Sequence, residues 1–475
     1  MVRGRAVVRP SVDPKEFLAM ASISAMSGFP EWLPAERLVE QHVQDVFREV
    51  AELHGFSNIE TRAVEPMEQL LRKGEIDKEV YVLRRLHEDA ADPSTSSSVE
   101  EQDPGRRLGL HFDLTVPLAR YVLENQNELA FPFRRYQIQK VWRGERPQDG
   151  RFREFYQADL DVIGQDTLPG HIDAEVAIVM AEILHRLPLP GFTIHANTRR
   201  LSEGFFRSLG FADHEPVLRV LDKLPKIGPD AVREQLRSEA GADDDQAEAA
   251  LAFAGITATD GSFADRVRDL GGSGELLEQG IAELQSVLER VEAAVPGVCV
   301  ADLSIARGLD YYTGTVFETF ISGHESLGSI CSGGRYDQLA ADRRHTYPGV
   351  GLSIGLSRLV SRMVSEQMAV ASRSVPTCVL VAVGSEQSRP DSDAVAHTLR
   401  SRGISCEVVP AAQKFGKQIR HADRRGIPFV WFPAGAEEGH RVRDIRTGEQ
   451  VAADPGAWQP PAEDHSVTVR PPARS

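Results

Sequence analysis

From Leu33 to His54 the apolar residues Val39, Val43, Val46, Phe47, Val50 and Leu53 recur at three- and four-residue intervals, with Pro34 near the start of the run and Gly55 just past its end. Such intervals put side chains on one side of a 3.6-residue turn, and proline and glycine stand where a helix tolerates the one and stops at the other, so the pattern predicts an amphipathic helix. NIETRAV then reads as a strand, and LLRKGEIDKEVYVLRRL mixes charged helix and strand material. Between His87 and Arg107 the text HEDAADPSTSSSVEEQDPGRR is acidic, rich in serine and poor in apolar residues, the composition of a flexible, disordered surface loop. DLTVPLARYVLEN resumes as a helix, with Thr115 as its expected N-cap and Pro117 tolerated in its first turn.

A period of two takes over from Phe133 to Gly164, in FRRYQIQKVWRGERPQDGRFREFYQADLDVIG. It places Phe155, Gln157, Asp159 and Asp161 on one face of a strand and Tyr156, Ala158, Leu160 and Val162 on the other; Gln139, Val141 and Arg143 share a face in the same way. GERPQDGRFRE between them holds too many charges and turn residues for a strand, so the segment is an expected antiparallel hairpin with a long charged loop. GVGLSIG reads as a glycine-rich strand, followed by a helix whose apolar side is Leu356, Leu359, Val360 and Met363.

Residues 200–295 change to acidic, helix-forming text, the mark of a helical insertion. The last hundred alternate as TCVLVAVG, DAVAHTLRSRG, ISCEVVP, KFGKQIRHADRRG and IPFVWFP, a βαβαβ order that implies a small parallel sheet with right-handed crossovers. Residues 1–30 are expected to be a loose lead-in, and QPPAEDHSVTVRPPARS a frayed tail.

At 475 residues, 41% hydrophobic and 26% charged, the chain has room for two to four domains. It has no apolar run of membrane-spanning length, and MVRGRAVVRPSVDP lacks a secretory signal's apolar stretch, so a cytoplasmic protein with no membrane partner is expected. Cys299, Cys331, Cys378 and Cys406 are scattered without CxxC spacing and suggest neither zinc site nor disulfide framework. A net charge of −16 opposes polyanion binding by the whole surface, while a local basic face stays open. Lys414, Lys417, Arg420, Arg424 and Arg425, crowded against the single acid Asp423, supply such a face; a charged helix that keeps a small domain soluble would look nearly the same.

The hairpin's polar face displays arginine, phenylalanine, glutamine and aspartate together. Alternating polar residues also suit a solvated sheet face, but an aromatic ring and a glutamine flanked by arginines on both strands favour a site. Fixed guanidinium groups suit phosphate, a ring beside them suits a base, and carboxylates suit an ammonium, so the combined ligand is a nucleotide plus an amino acid. Arg358 lies in the first turn of its helix, against the macrodipole at a cost of about 0.3–1 kcal/mol that a bound phosphate would offset; a surface arginine fits that segment equally well. Arg307 lies in IARGLDYYTGTVFE, and Gly333 and Gly334 of CSGGRYDQL could let backbone approach a ligand.

RGLDYYTGTVFE followed by SGGRYD resembles the signature pair of the histidyl-tRNA synthetases. RGERPQDGRFREFYQADLDVIG is similar to motif 2 of the class II aminoacyl-tRNA synthetases in its histidine-specific form, GLSIGLSRL to motif 3, and HFDLTVPLARY to the amino-acid-binding segment; the helix and strand up to Glu65 stand where the dimer-forming motif 1 belongs. The resemblance runs from about residue 28 to 460. It implies an α+β catalytic domain with an antiparallel six-stranded sheet in two parts (28–199 and 299–370), a helical insertion (200–298), a C-terminal α/β anticodon-binding domain (375–460) and a homodimer. The implied activity is ATP-dependent activation of L-histidine and its transfer to histidine tRNA, with magnesium as the expected ion.

Residue by residue, the resemblance implies that Arg143 holds the α-phosphate of ATP, with Glu145 near the adenine amino group or the pyrophosphate, Phe155 stacked on adenine and Arg358 on the γ-phosphate. Arg307 would contact the substrate carboxylate and the α-phosphate. Asp113, Thr115 and Gln157 would receive the α-ammonium, Asp161 and Tyr312 the imidazole, and Tyr311 and Tyr336 would build the pocket. Arg146 and Gln148 would meet the acceptor end of the tRNA. Arg62 stands where motif 1 typically has proline, Ser357 where an acid commonly precedes the motif 3 arginine, and Asp113 and Asp161 where some members carry glutamate. A regulatory or sensing relative that binds histidine or tRNA without charging it is the alternative; such proteins typically lose the arginines that this chain keeps.

Overall fold

The computed structural model describes residues 25–71, 79–84, 107–148, 150–306, 311–338, 340–433 and 439–472. The expected first helix spans Pro34–Leu53 and buries Val39, Val43, Val46, Phe47 and Val50, while Leu53 stays exposed. Gly55, at φ 76°, turns the chain out of it. NIETRAV is two short strands instead of one. Ser57–Asn58 runs parallel to Phe133–Trp142, and Val64–Pro66 joins Leu108–Leu110 and Val82–Leu83 in a small separate sheet. Between them, Thr61 offers its hydroxyl and carbonyl oxygens to the side chains of Gln137 and Gln139 instead of to a ladder. Nearly all of the expected surface loop from His87 to Arg107 lies outside the described residues.

Nine strands make the main sheet, in the order Ser57–Asn58, Phe133–Trp142, Glu154–Ile163, Gly349–Gly355, Cys331–Tyr336, Thr315–Ile321, Phe192–Thr198, Cys299–Asp302 and Thr257–Ala258. The middle six pair antiparallel throughout, as expected. Alternation decides which face does what: Ala158, Leu160 and Val162 point into the core with the Pro34–Leu53 and His171–His185 helices, and the odd-numbered residues of the same strand point away from it. Residues 199–294 fold as six helices, the last and longest being Glu275–Ala294. Their buried residues, Phe205, Leu236, Phe253 and Val291 among them, are continuous with the core under the sheet.

A second sheet follows in the order Cys406–Val408, Val379–Val381, Phe429–Phe432, Arg441–Asp444 and Gln450–Ala452. Its first three strands are parallel, as the βαβαβ reading required, and the last two are added antiparallel. Polar text hid this added hairpin: of the residues in RVRD only Val442 is buried. The expected frayed tail is ordered through residue 472. Val469–Arg470 pairs with Val370–Ala371, and buried Asp464 is held by Arg446 at 2.8–2.9 Å, while its carbonyl accepts from Arg373 at 3.0 Å. Its charged and aliphatic residues have partners from earlier in the chain, which the tail's own sequence does not show.

Candidate active site

Register builds the site. Across the hairpin Arg135 faces Asp161, Gln137 faces Asp159, Gln139 faces Gln157 and Val141 faces Phe155. The next strand sets Gly351 beside Asp161 and Ser353 beside Asp159, and the one after it sets Ser332 beside Ser353 and Gly334 beside Gly351. A cavity of about 110 Å³ lies over these rows, and its lining includes Asp113, Thr115, Arg143, Gln157, Asp161, Tyr311 and Tyr312. The structure thus brings together every described residue expected to hold the amino acid. Arg307, with Asp310, lies outside the described residues.

Each side chain is held by its neighbours. The helix Thr115–Asn125 is capped not by Thr115, which already lies inside it, but by Asp113, whose Oδ1 accepts from the Val116 N–H at 3.1 Å. A carboxylate two residues earlier reaches the free amides of the first turn, and Thr115 is left to line the cavity. Gln157 donates through Nε2 to Ser353 Oγ at 2.7 Å, and the Ser353 hydroxyl in turn donates to Asp159. That chain fixes the amide and leaves Gln157 Oε1 a buried acceptor with no hydrogen-bond partner among the described residues. The Tyr336 hydroxyl donates to Asp161 Oδ1 at 2.7 Å, and burial pushes that phenol's pKa well up, so it stays a donor. Burial likewise raises Tyr311, whose ring centre is 4.1 Å from that of Tyr312. Burial also pushes the Asp159 carboxyl up to about 7, against the opposing pull of Arg135.

Gly333 and Gly351 line this cavity, and a Cβ on Gly333 would stand 2.0 Å from the Gly351 carbonyl oxygen of the next strand. A Cβ on Gly351 would stand 2.0 Å from Asp161 Oδ1, and one on Gly334 2.5 Å from the Thr315 carbonyl oxygen and 3.1 Å from Tyr312 Cδ1. At Gly351 a site side chain fills the space that a side chain there would need, whereas at Gly333 and Gly334 the neighbouring strand's backbone comes first.

A second cavity, of about 300 Å³, is lined by Arg143, Glu145, Phe155 and Arg358, the residues expected at the nucleotide. It shares Arg143, Gln157, Ser332 and Ser353 with the first, so the two meet at Arg143. Arg143 Nε donates to the Phe112 carbonyl at 3.0 Å, and its Cζ lies 5.1 Å from the centre of the Phe155 ring. Arg358 is turned toward the carbonyls of Ser329, at 3.1 Å, and Leu327. These carbonyls ease the cost of a cation in the first helical turn without any ligand. Arg146 and Gln148 line neither cavity; both are exposed in the loop, where Gln148 forms an isolated bridge with Arg151.

Of the departures outside the amino-acid cavity, Arg62 lies 3.3 Å from Glu65 and 3.5 Å from Glu124. Ser357 is buried and accepts the Tyr156 N–H through Oγ at 2.9 Å, tying the helix after Gly355 to the hairpin. Ser357→Ala leaves that amide unbonded and is expected to cost about 1–3 kcal/mol, read from the first denaturant transition. An unchanged midpoint would show that the bond carries no net stability.

Three site residues escape the sequence reading: Asp159, Ser353 and Arg135. Asp159 was placed on the right face but given no role, and extending the Gln139, Val141, Arg143 series backward by twos reaches Gln137 and Arg135. Ser353 carries no such signal, since a serine in GVGLSIG reads as a spacer. A larger cavity, of about 690 Å³, lies beyond the other end of these strands. There Arg335 is paired with Asp173 at 2.6 Å and Arg200 with Glu283, so those charges are already matched. In the C-terminal domain Lys417, Arg420 and Arg424 border a cavity of about 460 Å³. Arg425, counted with them from the sequence, is instead paired with Glu407.

A family model described as histidyl-tRNA synthetase matches residues 28–359, and one described as anticodon binding domain matches residues 377–454. Histidine–tRNA ligases of Cutibacterium acnes and Micrococcus luteus are 58% and 59% identical over 453 and 450 residues, in each case 94% of this chain and 98% of the relative. A crystal structure of histidyl-tRNA synthetase from a Nostoc species is similar with a TM-score of 0.80 at 35% identity, over 91% of this chain and 97% of that one. An ATP phosphoribosyltransferase regulatory subunit/histidyl-tRNA synthetase from Bacillus halodurans, at a TM-score of 0.68 and 20% identity over 85% of this chain and 97% of that one, shares the fold.

Proposed function

This chain belongs to the histidyl-tRNA synthetase family, and from that premise we propose which of its residues carry the reaction. It activates L-histidine with ATP to give histidyl-adenylate and transfers the histidyl group to the 3′ end of histidine tRNA. The regulatory alternative has no comparable support: relatives at 54–59% identity over 93–94% of the chain carry the ligase name.

In the first step a carboxylate oxygen of histidine attacks the α-phosphorus and pyrophosphate leaves. Two anions must meet, so the main tasks are positioning and charge stabilisation. The observation that carries our assignment is that the two cavities meet at Arg143. The 110 Å³ cavity takes histidine, with Asp113, Thr115 and the Gln157 acceptor on the α-ammonium, Asp161 and Tyr312 on the imidazole, and Tyr311 in the wall. The 300 Å³ cavity takes ATP, with Phe155 against adenine, Glu145 near its amino group or the pyrophosphate, and Arg358 at the γ-phosphate. Arg143 holds the α-phosphate between them. Arg307 is assigned to the carboxylate and α-phosphate from the sequence resemblance alone. In the second step the terminal ribose hydroxyl of the tRNA attacks the histidyl carbonyl and AMP departs, a phosphate oxygen of the adenylate serving as base.

Arg146 and Gln148, exposed in the loop beside the nucleotide cavity, are free to reach the acceptor end, while Lys417, Arg420 and Arg424 suit backbone phosphates near the anticodon. Magnesium, if bound here, would be carried chiefly by the ATP phosphates and would neutralise part of their charge. The domain limits are those of the sequence reading. The homodimer is carried over from the motif 1 resemblance of the first helix and strand, and within the small sheet Val82, Leu83 and Leu108 are exposed. A cytoplasmic location is supported by buried free cysteines at 299, 331 and 378 and by the lack, among the described residues, of a helix long and apolar enough to cross a membrane.

ATP–pyrophosphate exchange with each amino acid in turn, followed by charging of purified tRNA, tests the reading. Exchange is expected with histidine; exchange with another amino acid, or none with histidine, would overturn it.

A further inference from the structure

We propose that Arg135 is a positioning residue for histidine selection, holding the Asp161 carboxylate against the imidazole and separating it from Asp159. The inference rests on the assignment of Asp161 to the substrate ring. Arg135 is fully buried on the hairpin strand outside the cavity, and its Nη2 lies 2.7 Å from Asp161 Oδ2 and 3.8 Å from Asp159 Oδ2. Nη1 reaches Gln137 Oε1 at 3.4 Å, whereas Nε and Nη2 have no hydrogen-bond partner among the described residues, so Nη2 meets Asp161 as a close ion pair and not as an aligned hydrogen bond. A guanidinium does not lose its charge, so one this deep must be matched by carboxylates, and Asp161 and Asp159 are within reach.

The arrangement constrains Asp161 from three sides. Tyr336 donates to Oδ1, Arg135 draws Oδ2, and Gly351 leaves only the room that the carboxylate fills. A carboxylate so fixed accepts hydrogen bonds and donates none, which selects a ligand presenting N–H at that point. The lining of the cavity also includes Asp113, Asp159, the Tyr311 and Tyr312 phenols and Arg143. Without Arg135, Asp159 and Asp161 would face each other on one strand with nothing between them, and Asp161 would lose its fixed orientation.

Arg135→Met keeps most of the volume and removes the charge. In ATP–pyrophosphate exchange it is expected to raise KM for histidine by about tenfold or more, with KM for ATP and kcat little changed. Adding Asp159→Asn should restore most of that loss, because the repelling partner is gone; Arg135→Lys should lie between the wild type and Arg135→Met. Unchanged histidine KM in Arg135→Met, or no recovery in the double variant, overturns the proposal, as does an equal rise in both KM values. Should Arg135→Met fail to fold, the double variant and Arg135→Lys carry the same comparison. Asp161→Asn separates the premise from the inference: if it leaves histidine KM unchanged the ring assignment falls, whereas a raised KM there beside an unaffected Arg135→Met removes the role of Arg135 alone.

Discussion

Arg143→Ala is expected to lower kcat for histidine-dependent ATP–pyrophosphate exchange by on the order of 10²–10³-fold, the loss typical of removing one fixed donor at a developing oxyanion. Arg143 borders both cavities, and on the proposed assignment its charge lies where the histidine carboxylate and the α-phosphate come together. Its anchors are modest, one bond to the Phe112 carbonyl and a contact with the Phe155 ring, so the fold should lose only about 1 kcal/mol. Arg143→Lys keeps the charge but gives up the planar group that lies over Phe155, and should recover part of the rate. A kcat near that of the wild type in Arg143→Ala would remove Arg143 from the transition state.

Gly351→Ala should strike the amino-acid half of the site. Because Gly351 sits in a strand at ordinary backbone angles, the cost is steric: the added Cβ would stand 2.0 Å from Asp161 Oδ1 and 2.8 Å from the Leu160 carbonyl. Asp161 cannot give way without leaving Tyr336 or Arg135. Either that carboxylate turns aside or the strands part, at about 1–3 kcal/mol of stability. Losing one charge-assisted bond to the ring corresponds to a histidine KM raised by about 10–100-fold, with KM for ATP unaffected. Exchange kinetics with each substrate varied separately, beside thermal unfolding, decide the matter; normal histidine KM in a destabilised protein would place the ring elsewhere.

Much of this architecture was legible because alternation and helical spacing leave a record in the chain. The hairpin, the two faces of Glu154–Ile163 and the βαβαβ order of the C-terminal domain follow from periodicity alone. What periodicity cannot report is register. Nothing in SLGSI or GVGLSIG says that Ser353 will lie between Gln157 and Asp159, and although parity with Arg143 puts Arg135 and not Arg134 on the site face, nothing in FRRYQ says that Arg135 will meet Asp161 while Arg134 pairs with Glu175. The misplaced cap has a similar cause, since Asp113 and Thr115 are both good capping residues and only the backbone path decides between them. The tail misled because two of its partners, Val370–Ala371 and Arg373, lie far from it in sequence, and the third, Arg446, sits in a turn that gives no sign of meeting Asp464.

That tail changes how the C-terminal sheet is hung. The chain passes into it through Val370–Ala371 and, after the last strand, comes back to lie beside the same two residues, with Val467 and Val469 against Arg37, Leu38 and Gln41 of the first helix. A body on one strap swings through a cone; on two adjacent straps it can only rock about the line between them. The end of the molecule that meets the anticodon is thus geared to the helix that backs the catalytic sheet.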